Sequence, residues 1–133
     1  MTTNALDVSI PCNAGRAQDD RVALVATIAE LDFGVLLRLE GTAILDDLPA
    51  LQAAVIRLSA RRARLTMLDL SDLTAISSLA IGLLVGLRRG LARWGCRIEI
   101  VNCSWAVREA LERTGVAALF EFCHSVEEVL AVA

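Results

Sequence analysis

Short apolar runs alternate with longer apolar stretches of helical spacing along most of this chain. The short runs predict strands at residues 22–28, 35–39, 65–70, 97–101 and 119–122. The longer stretches predict helices at residues 48–60, from Ser78 to Gly95, at 105–114 and after a capping box that opens at Ser125. Because strands and helices alternate after residue 40, the pattern predicts an α/β fold with a mixed, mostly parallel sheet. We expect four or five strands, an antiparallel hairpin at one edge, and about four helices packed mainly on one face.

The junction between the strand at 65–70 and the following helix is the most informative stretch. The strand runs into a turn predicted around Asp69–Asp72, and two serines, Ser77 and Ser78, directly precede the helix. The first backbone N–H groups of a helix have no intrahelical partner, and its dipole is positive there. A serine at this point therefore suits a phosphate.

Helical spacing places one set of large side chains of this second helix on its inner side: Leu83, Leu84, Leu87, Leu91 and Trp94. Ile81 and Val85 lie off that side, and two alternatives stay open for them: exposure as part of a docking surface or, as the stronger alternative, burial against a neighbouring element. Gly82, Gly86 and Gly90 recur every fourth residue, and we interpret them as sites where a neighbouring element packs closely on the backbone.

Composition and charge narrow the function classes. The chain has 56% hydrophobic but only 4% aromatic residues and a net charge of −3. Nucleic-acid binding is therefore not expected, since it requires a basic face and stacking side chains. A cluster of arginines, Arg57, Arg61, Arg62 and Arg64, is interpreted as a solvated helix end.

No signal for membrane insertion or secretion stands out. The longest uncharged stretch, residues 73–87, is shorter than the roughly 20 residues of a membrane-spanning helix. The start of the chain lacks a basic segment followed by an apolar run. The four cysteines form no CxxC pair, which predicts reduced thiols in a cytoplasmic protein.

The residues offer little for metal binding or catalysis, so we expect neither a cofactor nor an enzyme. The single histidine, His124, neighbours Cys123 without further ligands at metal-site spacing. Residues 1–20 are polar and irregular and are expected to form a loose tail, with one domain at 21–133. Asp46 or Asp47 is expected to cap the first helix.

Several segments, taken in order, resemble the STAS domains of bacterial anti-sigma factor antagonists. They are residues 68–74, the pair Ser77–Ser78 before a Leu/Gly-rich helix, 95–98, 101–102, 107–111, 114–116, 119–120 and 125–128. The resemblance covers roughly residues 33–130. It implies a STAS-type fold and a cytoplasmic switch protein that binds an anti-sigma factor with serine kinase activity. It also implies that phosphorylation of a serine abolishes this binding and that a phosphatase restores it.

The resemblance also assigns the site. The family motif Asp-Ser-Ser-Gly falls on residues 77–80, so that Ser78 takes the phosphoacceptor position and Ser77 is the alternative. Ser77, Leu79 and Ala80 depart from the motif, and residues 41–46 depart from the family's Gly-Glu-Leu-Asp. The expected partner-binding residues are Asp46, Asp72, Thr74, Ser77, Ser78, Ile81 and Val85.

Two alternatives remain open. The chain could be a STAS module that is never phosphorylated, either as a subunit of a lipid-transport ABC complex or as a scaffold in stress signalling. The departures around Ser78 favour this alternative. A small α/β enzyme would need a polar pocket for which the sequence supplies few residues. A homodimer is compatible with all of these.

Overall fold

A mixed sheet of six strands, hydrogen-bonded in chain order, forms the centre of the computed structural model. The structure describes residues 4–7 and 23–124, with the course of the backbone alone for 4–7. The strands are β1 (Asn4–Asp7), β2 (Val25–Leu31), β3 (Gly34–Ala43), β4 (Leu65–Ile76), β5 (Arg97–Cys103) and β6 (Glu121–Cys123). This is the α/β class that the sequence predicted, with one strand more than expected.

The sheet is antiparallel at one edge and parallel in the rest. β1 pairs with β2, and β2 with β3, in antiparallel fashion, the latter as a tight hairpin in which Leu31 faces Gly34. The pairs β3–β4, β4–β5 and β5–β6 are parallel. The additional strand is β1, which lies in the segment that we expected to be a loose tail.

Three helices, α1 (Leu48–Arg61), α2 (Ser78–Arg93) and α3 (Trp105–Arg113), pack on one face of the sheet. Their apolar sides share one core with the inward side chains of β2 to β5. A smaller cluster of Leu65, Met67 and Val101 belongs to the opposite face. The fourth helix predicted after Ser125 lies outside the described residues.

β4 is longer than predicted. It continues to Ile76 through the region predicted as a turn, because Asp72, Leu73, Ala75 and Ile76 pair with the end of β3. Two irregularities in the β3–β4 register, after Arg38 and after Gly41, allow this pairing to resume. The extension brings the start of α2 beside the end of β3.

Two interpretations of α2 were wrong. Trp94 follows the last helical residue and is 59% exposed, because the helix ends at Arg93 and the indole stacks on the Arg62 guanidinium at 3.8 Å. A Cβ atom added to Gly82, Gly86 or Gly90 would meet nothing within 4 Å among the described residues. These glycines therefore do not mark close packing within the described part of the domain.

Among residues 4–7 and 23–124, no helix combines the length and the apolar character needed to cross a bilayer.

Candidate functional site

The parallel strands β3, β4 and β5 all end at one edge of the sheet, and each is followed there by the start of a helix. We call this region the carboxyl pole and define it as residues 41–47, 71–81 and 103–106. The carboxyl edge of a parallel sheet is the usual place for binding sites in α/β folds. It contains every predicted site residue except Val85.

Ser77 and Ser78 are neighbours with different roles. Ser77 is the N-cap of α2, where its side chain accepts a hydrogen bond from the Ala80 N–H at 3.2 Å. Its own N–H donates to the Ala43 carbonyl at 2.8 Å. Ser78 is the first helical residue and is exposed. Within residues 23–124 its hydroxyl makes no hydrogen bond.

Two side-chain hydrogen bonds fix the backbone that leads to these serines. The Thr74 hydroxyl donates to the Gly41 carbonyl at 2.9 Å, which joins β4 to β3. The Ser104 hydroxyl donates to the Leu73 carbonyl at 2.6 Å and accepts from the Val107 N–H at 3.3 Å, which joins β4 to the start of α3. Thr74 therefore has a clear structural role in addition to any role in binding.

Asp46 or Asp47 was expected to cap α1, and the structure confirms the position of Asp47 but not a capping hydrogen bond. Asp47 occupies the N-cap position, but its side chain makes no capping hydrogen bond. It is 2% exposed and accepts hydrogen bonds from Leu24 N–H at 3.3 Å, Thr42 Oγ1 at 3.2 Å and Ile44 N–H at 3.2 Å. The carboxylate thus fixes the segment after β3 instead of the helix. Asp46 is half-buried beside it.

Asp72 lies in an ion pair on the exposed surface of the sheet. The Arg38 guanidinium hydrogen-bonds the Asp72 carboxylate and also lies 3.8 Å from Glu40. The hydrogen bond to Asp72 is the main reason that the pKa of Arg38 is raised. Asp69 accepts from the hydroxyl and the N–H of Ser71, at 2.7 and 3.1 Å.

For Ile81 and Val85 the structure shows the alternative of burial and not an exposed pair. Ile81 is only 5% exposed and belongs to the main core, while Val85 is half-buried and packs against that core. The reason is the helical period, because Ile81 precedes the buried Leu84 by three residues and extends the same buried side. Ile81 therefore offers no free surface for docking.

Three other large apolar side chains at the carboxyl pole are exposed and were not predicted as site residues. They are Leu45 (63%), Leu79 (59%) and Trp105 (76%). Leu79 and Trp105 each stand within two residues of a capping serine, so the first turns of two helices present them outward. The signal in the sequence was a bulky apolar residue one or two positions after the serine that precedes each helix.

Groups for catalysis or metal binding are scarce at this pole. Burial raises the pKa of the Cys103 thiol to about 11, and the charge of Arg108 opposes this only in part. The thiol is therefore protonated and a poor nucleophile at neutral pH. The described residues contain no group of three or more His, Cys, Asp or Glu side chains arranged to hold a metal ion.

Comparisons with known proteins agree on the fold. A family model described as STAS domain matches residues 18–129. An anti-sigma factor antagonist from Mycobacterium paratuberculosis superposes with a TM-score of 0.74 at 18% identity, over 83% of this chain and 93% of that one. The anti-sigma factor antagonist SpoIIAA in its unphosphorylated form gives 0.68 at 20% identity, over 80% and 95%.

SpoIIAA from Bacillus, described as a cell fate determinant, is also similar in its phosphorylated form, with a TM-score of 0.62 at 18% identity over 81% of this chain and 99% of that one. At such identities the likeness establishes a shared fold. Among curated proteins, no sequence matches this chain.

Proposed function

This chain belongs to the STAS domain family, and we propose that it is a binding switch of the anti-sigma factor antagonist type. In this proposal its carboxyl pole docks an anti-sigma factor that is also a serine kinase. Phosphorylation of Ser78 ends the complex, and a phosphatase restores it. The domain performs no chemistry itself, since the kinase and the phosphatase supply the reactions.

The exposed, unbonded hydroxyl of Ser78 is the observation that supports this proposal most directly. A kinase needs an acceptor oxygen that it can reach without unfolding the substrate, and Ser78 meets this condition. Ser77 meets it less well, because its hydroxyl oxygen caps α2. Phosphorylating Ser77 would require the cap to be given up or rebuilt, at about 1 kcal/mol.

The surroundings of Ser78 suit a protein partner. Leu79 is its direct neighbour, Leu45 lies two residues after the Ala43 carbonyl that binds Ser77, and Trp105 follows the Ser104 that binds β4. We call Leu45, Leu79 and Trp105 the apolar triad. Large exposed apolar side chains around a polar centre are typical of docking surfaces, and Trp is enriched among the residues that dominate their binding energy.

A phosphate on Ser78 would act on binding more than on folding. It adds a charge of about −1.5 to −2. In the free domain this charge lies in water at the positive end of α2, where the dipole stabilises it by about 0.3–1 kcal/mol. In a packed interface the same charge would lose its hydration, which costs several kcal/mol unless the partner supplies a cation.

The test is to incubate the full chain with ATP and the purified anti-sigma kinases of the source organism, one at a time, followed by intact-mass analysis and peptide mapping. We expect one phosphate on the wild-type chain, on Ser78, and none on Ser78→Ala. Ser77→Ala is the matched control and should still be phosphorylated while it remains folded.

Binding without phosphorylation would lead to a different conclusion. If a kinase binds the wild-type chain but leaves Ser78 unmodified, the phosphorylation switch is wrong and the domain acts as a constitutive docking module. The departures at Ser77, Leu79 and Ala80 from the family motif are the observation that favours this second function.

A further inference from the structure

The end of the domain opposite Ser78 is rich in arginine. Here α1 and α2 end and β4 and β5 begin, which brings residues 57–64 and 88–97 together. The Arg97 N–H donates to the Arg64 carbonyl at 2.8 Å, so the two segments are in direct contact. We call this region the arginine pole, and its cations are Arg57, Arg61, Arg62, Arg64, Arg88, Arg89, Arg93 and Arg97.

Most of these guanidinium groups have no carboxylate partner within the described part of the chain. Arg61 forms a bidentate pair with Glu30, which raises the Arg61 pKa, and Arg97 pairs with the buried Glu99. Asp32 and Glu121 lie at the same end without such a pair. The remaining arginines are exposed, apart from Arg88, which is half-buried.

Two aromatic side chains are exposed beside these charges. Trp94 is 59% exposed, with the Arg62 guanidinium 3.8 Å from the centre of its ring. Phe33, in the turn between β2 and β3, is 37% exposed and lines a depression with Arg62 and Arg64. A groove of about 340 Å³ lies nearby, with Ile28, Val35 and Leu58 in its floor and Arg57, Arg61 and the Arg61-bound Glu30 at its rim.

We propose that the arginine pole adsorbs to an anionic membrane surface, with its cations at the phosphate level and Trp94 and Phe33 at the boundary to the acyl chains. Clusters of four to eight cations are typical of segments that bind acidic lipids, and each contributes about fivefold to the partition coefficient. Aromatic side chains favour the same interfacial layer. The groove could accommodate part of an acyl chain beneath the rim.

A membrane fits these observations better than another polyanion. The arginines come from the ends of several elements and are not arranged to bind one carboxylate of a protein partner in a bidentate way. Mobile lipid head groups, in contrast, can adjust to any spacing of the cations. Nucleic acid is disfavoured because base stacking requires several aromatic side chains, and only 4% of the residues are aromatic.

Membrane adsorption does not depend on the proposed switch, but it would determine how the domain presents Ser78 to a partner. Ser78 and Arg93 lie at opposite ends of α2, about 22 Å apart at 1.5 Å per residue. With the arginine pole on a membrane, the carboxyl pole would face away from the lipid. A protein partner could then reach Ser78 while the domain is adsorbed.

Co-sedimentation of the full chain with vesicles tests the proposal. We expect binding to vesicles of phosphatidylglycerol and phosphatidylcholine, weakening as salt is added, and no binding to phosphatidylcholine alone. The double variant Arg64→Gln/Arg93→Gln should reduce the partition coefficient about 25-fold, on the basis of about fivefold per cation. The control Gln52→Glu/Ala106→Glu changes the net charge by the same amount at exposed positions away from the arginine pole. It should reduce the partition coefficient much less.

Single-tryptophan variants give a second readout, because the chain has only two tryptophans. Trp105→Phe leaves Trp94 as the sole indole, and its emission should shift to the blue with anionic vesicles. Trp94→Phe leaves Trp105, whose emission should not shift. Circular dichroism checks that all variants are folded.

Four results would overturn the proposal, and the first three concern the vesicle experiments. They are no binding to anionic vesicles at low salt, an equal reduction of the partition coefficient in Arg64→Gln/Arg93→Gln and in its control, or a blue shift in the emission of Trp105 instead of Trp94. Tighter binding to polyglutamate or duplex DNA than to vesicles would also overturn it, in favour of a protein or nucleic-acid partner.

Discussion

The two ends of α2 differ in chemistry although they belong to one helix. The carboxyl pole offers hydroxyls, backbone N–H groups and an apolar triad, and its backbone is fixed by Thr74, Ser77, Ser104 and the buried Asp47. The arginine pole offers guanidinium groups, with two ion pairs and one cation–π contact among them. The helix dipole favours this distribution, because it stabilises anions at the start and cations at the end.

The difference indicates two separable surfaces. Substitutions at one pole should change one kind of binding and leave the other unchanged. The following predictions test this separation, beginning with the largest expected effect.

Asp47→Ala should lower the free energy of unfolding by about 3 kcal/mol, since it removes a buried carboxylate that accepts three hydrogen bonds. Asp46→Ala, at the half-buried neighbouring residue, should cost less than about 1 kcal/mol. Urea denaturation followed by circular dichroism measures both. Equal losses would mean that Asp47 does not hold the loop before α1.

Trp105→Ala should weaken binding of the anti-sigma partner by about 2 kcal/mol or more, as expected when a central aromatic anchor is removed. Trp94→Ala is the matched control at the arginine pole and should leave this affinity unchanged. Isothermal titration calorimetry on both variants gives the comparison. A larger effect of Trp94→Ala would indicate that the anti-sigma partner docks at the arginine pole and not at the carboxyl pole.

Ser77→Ala should destabilise the domain by about 1 kcal/mol through loss of the α2 cap. Ser78→Ala should change stability by less than about 0.5 kcal/mol, because the hydroxyl is exposed and makes no hydrogen bond within the described residues. Thermal unfolding distinguishes the two. The reverse order would show that Ser78, and not Ser77, has the structural role.

The last prediction concerns pH. The folded domain holds the Cys103 pKa at about 11, above the ordinary value of 9.0, so the folded state binds more protons between these pH values. Stability should therefore fall as pH rises from about 9 to 11 and be insensitive to this group below pH 9. In Cys103→Ala the slope over that range should be shallower. If the slope in Cys103→Ala were unchanged, titratable groups other than Cys103 would account for the loss of stability.

The sequence predicted the elements that depend on local signals. The helices predicted from Ser78 and from residue 105 begin there in the structure, after the N-caps Ser77 and Ser104, and Arg97 begins β5 as expected. The α/β class followed from the order of these elements. Local capping and periodicity were sufficient to predict these elements, because the tertiary contacts at these positions favour the same secondary structure.

The errors involve contacts between residues distant in the chain. The extension of β4 to Ile76 depends on pairing with β3, and the role of Asp47 depends on the Leu24 N–H, 23 residues away. The exposure of Trp94 depends on Arg62 of another element. Ile81 is the exception, because its burial followed from the same period that placed Leu84 inside.

The most direct test of the central claim is the affinity of a purified anti-sigma kinase for three forms of the chain: wild type, Ser78→Ala and Ser78→Asp. We predict that Ser78→Ala binds within about twofold of the wild type and that Ser78→Asp binds at least about 100-fold more weakly, because a charge is forced into the interface. If Ser78→Asp bound as tightly as the wild type while remaining folded, charge at this hydroxyl would not control docking and the proposed switch would be wrong.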